Sequence, residues 1–237
     1  MDIAVLSNNN IKQQEIENKA KKYGFNIALK NQEPDIVFCI GGDGTILYAE
    51  EKFPSVPKIT IKNEHHIGKR CIYTIEQIDD ILSKLSQNKF KTKKNIKIKC
   101  LYKNQKITAL NEIQIRNILP SYAIRFSIFA KQDNKIIFRK KNIIGDGCIF
   151  STPFGSSAYF KSIGGKKFKN GFGIGLNNVF NKKKKIYYFD DDCIFECILD
   201  RGPCFLLHDN SKNIITLKTN EKIILEKEKN YFEEVHL

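Results

Sequence analysis

The period of the hydrophobic pattern changes near residue 92, and this change constrains the fold more than any other feature of the sequence. Before it, short apolar runs typical of strands alternate with segments of helical spacing, the clearest of which follows a capping-box pattern at Thr74 and Gln77. After it, apolar and polar residues alternate in runs separated by polar turns such as KNQK and KQDNK. We therefore predict an α/β N-terminal domain with a parallel, Rossmann-like sheet, closely docked to an all-β C-terminal domain.

The length and the apolar content allow this two-domain arrangement. The 237 residues are 41% hydrophobic, which is ordinary for globular proteins, and we place the first domain at residues 1–92 and the second at 93–223. No apolar run approaches the roughly 20 residues that span a bilayer, and the N-terminus lacks a signal-peptide pattern. Seven cysteines without a CxxC pair indicate buried thiols rather than a zinc site. We expect a cytoplasmic protein without a membrane partner and without a metal site built from protein side chains.

The net charge of +14 leaves three interpretations open. It could serve nucleic-acid binding, it could be a solvated lysine-rich surface, or it could attract small polyphosphates to a cleft. The basic runs are scattered and arginine, the usual base-reading residue, is scarce. The composition therefore favours the solvated surface, and we expect no specific nucleic-acid partner.

The segment FCIGGDGTIL, residues 38–47, ends a predicted strand in a glycine-rich turn. Glycines at 41, 42 and 44 leave the backbone bare, so that a phosphate chain could approach the amides and the N-terminus of the next helix. Asp43 could then hold Mg²⁺ against phosphates or accept a proton from an attacking hydroxyl. The alternative is a tight turn in which Asp43 only caps the helix. The segment matches neither a Walker loop nor a G-x-G-x-x-G fingerprint.

Two further segments carry polar residues in unusual places. ALNEIQI puts Asn111 and Glu112 inside a strand-like run, where at most one of them can face the core; the alternative is a polar pair at a strand end. Residues 144–165, IGDGCIFSTPFGSSAYFKSIGG, are dense in glycine, serine and threonine. We interpret this second segment as poor core and as a good ligand cradle.

In this order and spacing, the three segments resemble the NAD kinase family, whose pattern is GGDGT, an Asn-Glu pair, and DG-x-x-x-S-T-P-x-G-S-T-A-Y with a trailing serine and Gly-Gly. GGDGT alone also occurs in lipid kinases, and the Ser-Thr-Pro…Ala-Tyr segment distinguishes the NAD kinases. The resemblance implies transfer of a phosphoryl group from ATP or polyphosphate to the 2′-hydroxyl of the adenosine ribose of NAD, giving NADP, with Mg²⁺. It also implies a homo-oligomer, dimer or tetramer, and a last segment, about 224–237, that completes the first domain.

The resemblance also assigns roles to residues. Asp43 would contact the ribose 2′-hydroxyl as the candidate base, and Asn111 and Glu112 would hold ribose hydroxyls. Asp146 would bind the nicotinamide end, within one subunit or from its neighbour. The other predicted nucleotide-binding residues are Gly42, Gly44, Thr45, Ser157, Ala158, Tyr159 and Ser162.

One departure from the family pattern affects the acceptor end of the site. Lys69 and Arg70 replace an apolar pair, and they could contact a phosphate or face solvent. Two alternative functions stay open: a kinase of a lipid or other small alcohol that shares the GGDGT loop, and, because the apolar pair is lost, a nucleotide-binding sensor that has lost catalysis.

Overall fold

The computed structural model describes residues 1–29, 31–63, 70–181 and 185–237, in two compact units. The first unit comprises residues 1–95 and 231–237, and the second comprises residues 96–230. The predicted fold classes are confirmed, because the first unit has a largely parallel sheet with helices and the second has antiparallel sheets. Residues 93–95 fall in the first unit and residues 224–230 in the second, so both divisions differ by a few residues from the predicted bounds.

The first unit alternates strands with helices, as its hydrophobic pattern predicts. Its N-terminal elements are β1 (Asp2–Ser7), α1 (Asn10–Lys22), β2 (Asn26–Ile27), β3 (Ile36–Gly41), α2 (Asp43–Lys52), β4 (Lys58–Lys62), β5 (Tyr73–Thr74), α3 (Ile78–Ser86) and β6 (Lys91–Asn95). A 3₁₀ turn at Ile75–Gln77 leads into α3, and the predicted capping box between Thr74 and Gln77 is confirmed. The apolar face of α3 is fully buried, which fixes the helix against the sheet.

The second unit is a β-sandwich made of two six-stranded antiparallel sheets. Its elements are β7 (Ile98–Tyr102), β8 (Gln105–Ala109), β9 (Glu112–Asn117), β10 (Ile124–Gln132), β11 (Lys135–Gly145), β12 (Gly147–Ser151), α4 (Tyr159–Ser162), β13 (Phe172–Asn177), β14 (Ile186–Phe189), β15 (Ile194–Arg201), β16 (Cys204–His208), β17 (Ile215–Leu217) and β18 (Lys222–Lys227). One sheet has the order β11-β10-β15-β18-β7-β8, and the other β14-β13-β12-β9-β16-β17. Apolar residues of both sheets form one core.

The chain then returns to the first unit as β19 (Phe232–His236). This strand pairs in parallel with β4 and antiparallel with β6, so the sheet order is β2-β1-β3-β4-β19-β6, with β5 also paired to β4. The sequence KTKKN of β6 shows only a basic run, because both faces of this edge strand are largely exposed.

Two features of the second unit differ from the sequence interpretation. The expectation that residues 144–165 are poor core is wrong for β12, whose five residues are all buried in the middle of a sheet. Strand β13 was not predicted, because its glycines interrupt the alternating pattern. Gly173 and Gly175 are needed there: an added Cβ would lie 2.6 Å from the ring of Phe160 and 2.3 Å from Ile163. The two glycines thus leave the space into which the side chains of Phe160 in α4 and Ile163 pack.

Within the described residues, no helix has the length and apolar character needed to cross a membrane.

Candidate functional site

The GGDGT turn lies at the carboxyl end of the parallel strand β3, where nucleotides bind in sheets of this type. Gly42 is the N-cap of α2, and Asp43 is its first residue. Asp43 does not occupy the N-cap position, which is taken by Gly42, and it lies in the first turn of the helix. Asp43 and Gly44 are exposed at the N-terminus of α2, where the helix dipole and bare amides favour an anion.

Gly41 determines how tightly this turn can close. A Cβ at this position would lie 2.4 Å from Oγ1 of the buried Thr45, and the φ of Gly41 is +157°. The amide of Thr45 donates to the carbonyl of Gly42 at 3.0 Å, which closes the first turn of α2. Thr45, predicted as a nucleotide-binding residue, is therefore packed inside the turn and supports its shape.

Arg70 and Cys71 lie against the turn, and Arg70 contacts the Asp43 carboxylate. The amide of Arg70 donates to Asp43 Oδ1 at 3.3 Å, and the Cys71 thiol donates to the carbonyl of Gly41 at 3.3 Å. Burial lowers the pKa of Arg70, whereas the nearby carboxylates of Asp43 and Glu234 oppose that shift. Burial also raises the pKa of Cys71 to about 11, so this thiol stays protonated. Arg70 is thus a half-buried cation beside Asp43, and Lys69 lies outside the described residues.

In the second unit, the Asn111–Glu112 pair lies at the start of β9 and is held by a residue far along the chain. The Asp209 carboxylate accepts three consecutive amides: Leu110 at 2.8 Å, Asn111 at 2.7 Å and Glu112 at 3.2 Å. The amide of Asp209 donates in return to the carbonyl of Glu112 at 3.1 Å. Asp209 follows β16, which is paired with β9, so sheet pairing brings it to this place.

The loop that follows β12 holds the other side of the same segment. The hydroxyl of Thr152 donates to the carbonyl of Leu110 at 2.5 Å, and its amide donates to the carbonyl of Asn111 at 2.9 Å. Gly155 lies directly against Asn111, since an added Cβ would be 2.1 Å from the Asn111 carbonyl oxygen. The Ser-Thr-Pro-Phe-Gly sequence is therefore a clamp on the Asn-Glu pair.

The side chain of Glu112 is buried, with 5% of its surface exposed, and its Oε2 atom has no hydrogen-bond partner among the described residues. Burial first, and then the negative charge of Asp209, raise the pKa of Glu112 to about 8. A buried polar atom without a partner is costly and is usually explained by function. Glu112 is well suited to accept a hydrogen bond from a polar ligand.

Asp146 stands between β11 and β12 and is held by two amide side chains. Asn117 Nδ2 donates to one carboxylate oxygen at 3.4 Å, and Asn178 Nδ2 donates to the other at 3.1 Å. Gly147 allows the chain to pass close by, since a Cβ there would be 1.9 Å from the Ile115 carbonyl oxygen and its φ is +144°. The half-buried carboxylate of Asp146 thus has a fixed orientation.

The predicted nucleotide-binding residues in α4 and in the turn before it form a partly exposed group. Ser157 and Tyr159 are half-buried, and Ala158 and Ser162 are exposed. The hydroxyl of Ser162 donates to the Tyr159 carbonyl at 2.7 Å, so its first interaction is within the helix. The Arg116 guanidinium lies 5.5 Å from the centre of the Tyr159 ring and also donates to its hydroxyl. Arg116 shares one face of β9 with Glu112, because the two residues are four apart on a strand.

Sequence reasoning missed Asp209, Thr152, Arg116 and Asn178 as parts of this site. Asp209 and Arg116 carry no local signal, because their partners are distant in sequence. Thr152 lies inside the family pattern, and its position between a strand and a glycine could have indicated a clamp. Among the described residues, no group of three or more histidine, cysteine or acidic side chains could hold a metal ion by itself.

Solved structures share this fold over nearly the whole chain. A crystal structure of an NAD kinase from Archaeoglobus fulgidus in complex with ATP superposes with a TM-score of 0.82, at 23% identity, over 99% of this chain and 93% of that one. Yeast NADH kinase complexed with NADH superposes with a TM-score of 0.85, at 14% identity, over 100% of this chain and 83% of that one. The fold is therefore the fold of the NAD and NADH kinases.

The sequence leads to the same group. The chain matches no protein-family model. It is 31% identical over 169 residues to the NAD kinase of Methanosphaera stadtmanae, a match that covers 69% of this chain and spans 59% of that relative's length. The chain is thus similar in sequence to a protein named NAD kinase, of which it matches less than two thirds of the length.

Proposed function

We propose that the protein is an NAD kinase, which transfers the terminal phosphoryl group of ATP to the 2′-hydroxyl of the adenosine ribose of NAD and so forms NADP. The observation that carries this proposal is the placement of Asp43, an exposed carboxylate in a glycine turn at the N-terminus of α2. The relatives named NAD kinase support this acceptor over a lipid or another small alcohol.

In this proposal, Asp43 accepts the proton of the 2′-hydroxyl as the ribose oxygen forms a bond to the terminal phosphorus of ATP. The bond that breaks joins that phosphorus to the bridging oxygen, and ADP leaves. Phosphoryl transfer depends on alignment and charge neutralisation rather than on covalent catalysis. The bare amides of Gly42 and Gly44 would face the donor phosphates, and Arg70 would add positive charge beside them.

A divalent metal ion fits this arrangement if it binds together with the substrate phosphates. Mg²⁺ typically binds one or two carboxylates together with substrate phosphates rather than a full protein cage. Asp43 offers one exposed carboxylate of this kind. Bound there, Mg²⁺ would neutralise the charge of the donor phosphates.

In the second unit, we assign the dinucleotide to the polar face that carries Asn111 and Glu112. Glu112 Oε2, which has no hydrogen-bond partner among the described residues, would accept a hydrogen bond from a ribose hydroxyl, and Tyr159 would stack on a base. Asp146 would bind the nicotinamide end. Ser157, Ala158 and Ser162 would line the nucleotide pocket, with Thr45 supporting the donor side in the first unit.

The first unit would thus act as the nucleotide-binding domain and the second as the substrate-binding domain. We extend the proposal to a cytoplasmic homo-oligomer, a dimer or a tetramer, which the family resemblance supports. The seven free thiols suit a reducing compartment.

The test is an assay of the purified protein with NAD, ATP and Mg²⁺, in which NADP is measured with an NADP-specific dehydrogenase. We expect NADP to form, and we expect replacement of ATP by polyphosphate and of NAD by NADH to rank the donors and acceptors. Folded wild-type protein that forms no NADP with any of these pairs would refute the proposal.

A further inference from the structure

Asp209 forms more hydrogen bonds to the backbone than a simple turn requires. Its single carboxylate accepts three successive backbone amides, at 2.7 to 3.2 Å, and its own amide bonds back to the Glu112 carbonyl. Hydrogen bonds to an ionised acceptor are roughly twice as strong as neutral ones. The segment 110–112 is therefore held by one charged side chain from an element almost a hundred residues later.

Residues 110–112 are hydrogen-bonded on both sides, by Asp209 and by Thr152. The direction of the Asn111 and Glu112 side chains therefore depends on these hydrogen bonds. The Asp209 carboxylate accepts hydrogen bonds from the amides of the segment, while Thr152 donates hydrogen bonds to the carbonyls of Leu110 and Asn111. Because its amides and carbonyls are both hydrogen-bonded, rotation of its peptide planes would break several hydrogen bonds. Asn111 and Glu112 are therefore presented in one orientation before any ligand binds, and such preorganisation raises affinity.

Asp209 also places a negative charge beside Glu112. The positions next to Glu112 on the flanking strands are Ser151 on β12, which does not titrate, and His208 and Asp209 at the end of β16. The charge of Asp209 favours the protonated form of Glu112, as burial does. Removal of that charge without a change of shape should therefore lower the pKa of Glu112.

We propose that Asp209 is a positioning residue for the acceptor, which fixes the backbone of residues 110–112 so that Asn111 and Glu112 can grip the ribose hydroxyls of the dinucleotide. This inference rests on the proposed function. It adds to that function a residue that touches no substrate and acts through the two residues that do.

The experiment compares Asp209→Asn with a matched control, Glu221→Gln, in the full-length chain. Glu221 also uses its carboxylate to accept a backbone amide, that of Lys218 at 2.8 Å, but it lies in the turn before β18. We expect Asp209→Asn to raise the KM for NAD about tenfold, as a charge-assisted bond becomes neutral. The KM for ATP should stay within about twofold, and Glu221→Gln should leave both constants within about twofold.

A pH profile of NAD binding separates positioning from plain stability. If ionised Glu112 accepts the ribose hydroxyls, the affinity of the wild type for NAD should rise as the pH approaches about 8. In Asp209→Asn this rise should move to lower pH. In Asp209→Glu, which keeps the charge but adds a methylene, the KM for NAD should rise while the midpoint of the profile stays near that of the wild type; this variant carries the test if Asp209→Asn does not fold.

The inference is overturned if Asp209→Asn, or Asp209→Glu in its place, lowers the melting temperature and leaves the KM for NAD unchanged, as Glu221→Gln would. That result would make Asp209 a structural cap only. Failure of the proposed function looks different, because the wild type itself would then neither bind NAD nor form NADP.

Discussion

The two units present their key carboxylates in opposite ways. In the first unit, Asp43 is exposed on a helix N-terminus, and its surroundings come from its immediate neighbours in the chain together with Arg70 and Cys71. In the second unit, Glu112 is buried on a strand, has a pKa raised to about 8, and is positioned by Asp209 and the loop at Thr152. An exposed carboxylate can exchange a proton with a substrate, whereas a buried one can hold a ligand at a fixed place.

This contrast predicts that substitutions in the first unit change turnover at little cost in stability. In the second unit, binding and stability should change together. The following predictions test that division, from the largest expected effect to the smallest.

Asp43→Asn should lower kcat by about 100-fold or more, the usual effect of losing a positioned general base. Its melting temperature should stay near that of the wild type, because the side chain is exposed and asparagine can still accept a hydrogen bond from the amide of Arg70. The matched control is Asp80→Asn, another exposed acidic residue in the first turn of a helix of the same unit, which should keep its turnover. Near-normal turnover in Asp43→Asn would reduce Asp43 to a turn residue.

Gly155→Ala should destabilise the second unit by about 1–3 kcal/mol and raise the KM for NAD, because the new methyl group pushes against the Asn111 carbonyl. Denaturant unfolding and steady-state kinetics measure the two effects. In the control Gly164→Ala, the methyl group meets open space and only the φ of +96° is strained, so stability should fall while the KM for NAD stays unchanged. Equal KM values in both variants would contradict the clamp on Asn111.

Glu112→Gln should increase the stability of the protein, which is the opposite of the usual effect of a mutation in a site. The folded pKa of about 8 lies above the ordinary value, so the wild type is most stable at acidic pH and loses stability as the pH rises toward 8. The glutamine variant lacks this ionisation and should gain on the wild type by roughly 3–4 kcal/mol between pH 5 and 8, while its NAD affinity falls about tenfold. Urea unfolding at several pH values tests this prediction. If the free energy of unfolding depends on pH in the same way in the two proteins, Glu112 is not a buried carboxyl group with a raised pKa.

Arg70→Leu should reduce the dependence of the KM for the phosphate-bearing substrates on salt by a few-fold, because an ionic contact weakens as salt screens it. The KM values for NAD and ATP are measured at two ionic strengths. Lys22→Leu, at an exposed lysine of α1, is the control and should keep the salt dependence of the wild type. Equal slopes in all three proteins would place Arg70 outside the phosphate site.

The sequence was sufficient where neighbours in the chain are also neighbours in space. The capping box at Thr74, the glycine turn at Asp43 and the helix of which it is the first residue are local, and their patterns predicted them. The change of period near residue 92 separated the α/β part from the antiparallel part for the same reason. The assignments of the individual site residues stay predictions, because their roles depend on a bound substrate.

Only the tertiary structure decided what holds Glu112. Asp209 lies 97 residues away in sequence and reaches it because β16 pairs with β9, and Arg116 meets Tyr159 across 43 residues. The buried strand β12 was misread for a related reason: its flanking glycines and serines look like a loop until two neighbouring strands cover its edges. Hydrophobic periodicity reports which face of a segment is buried, but it carries no information on which distant segment does the burying. The partners of the site's carboxylates were therefore set by strand pairing.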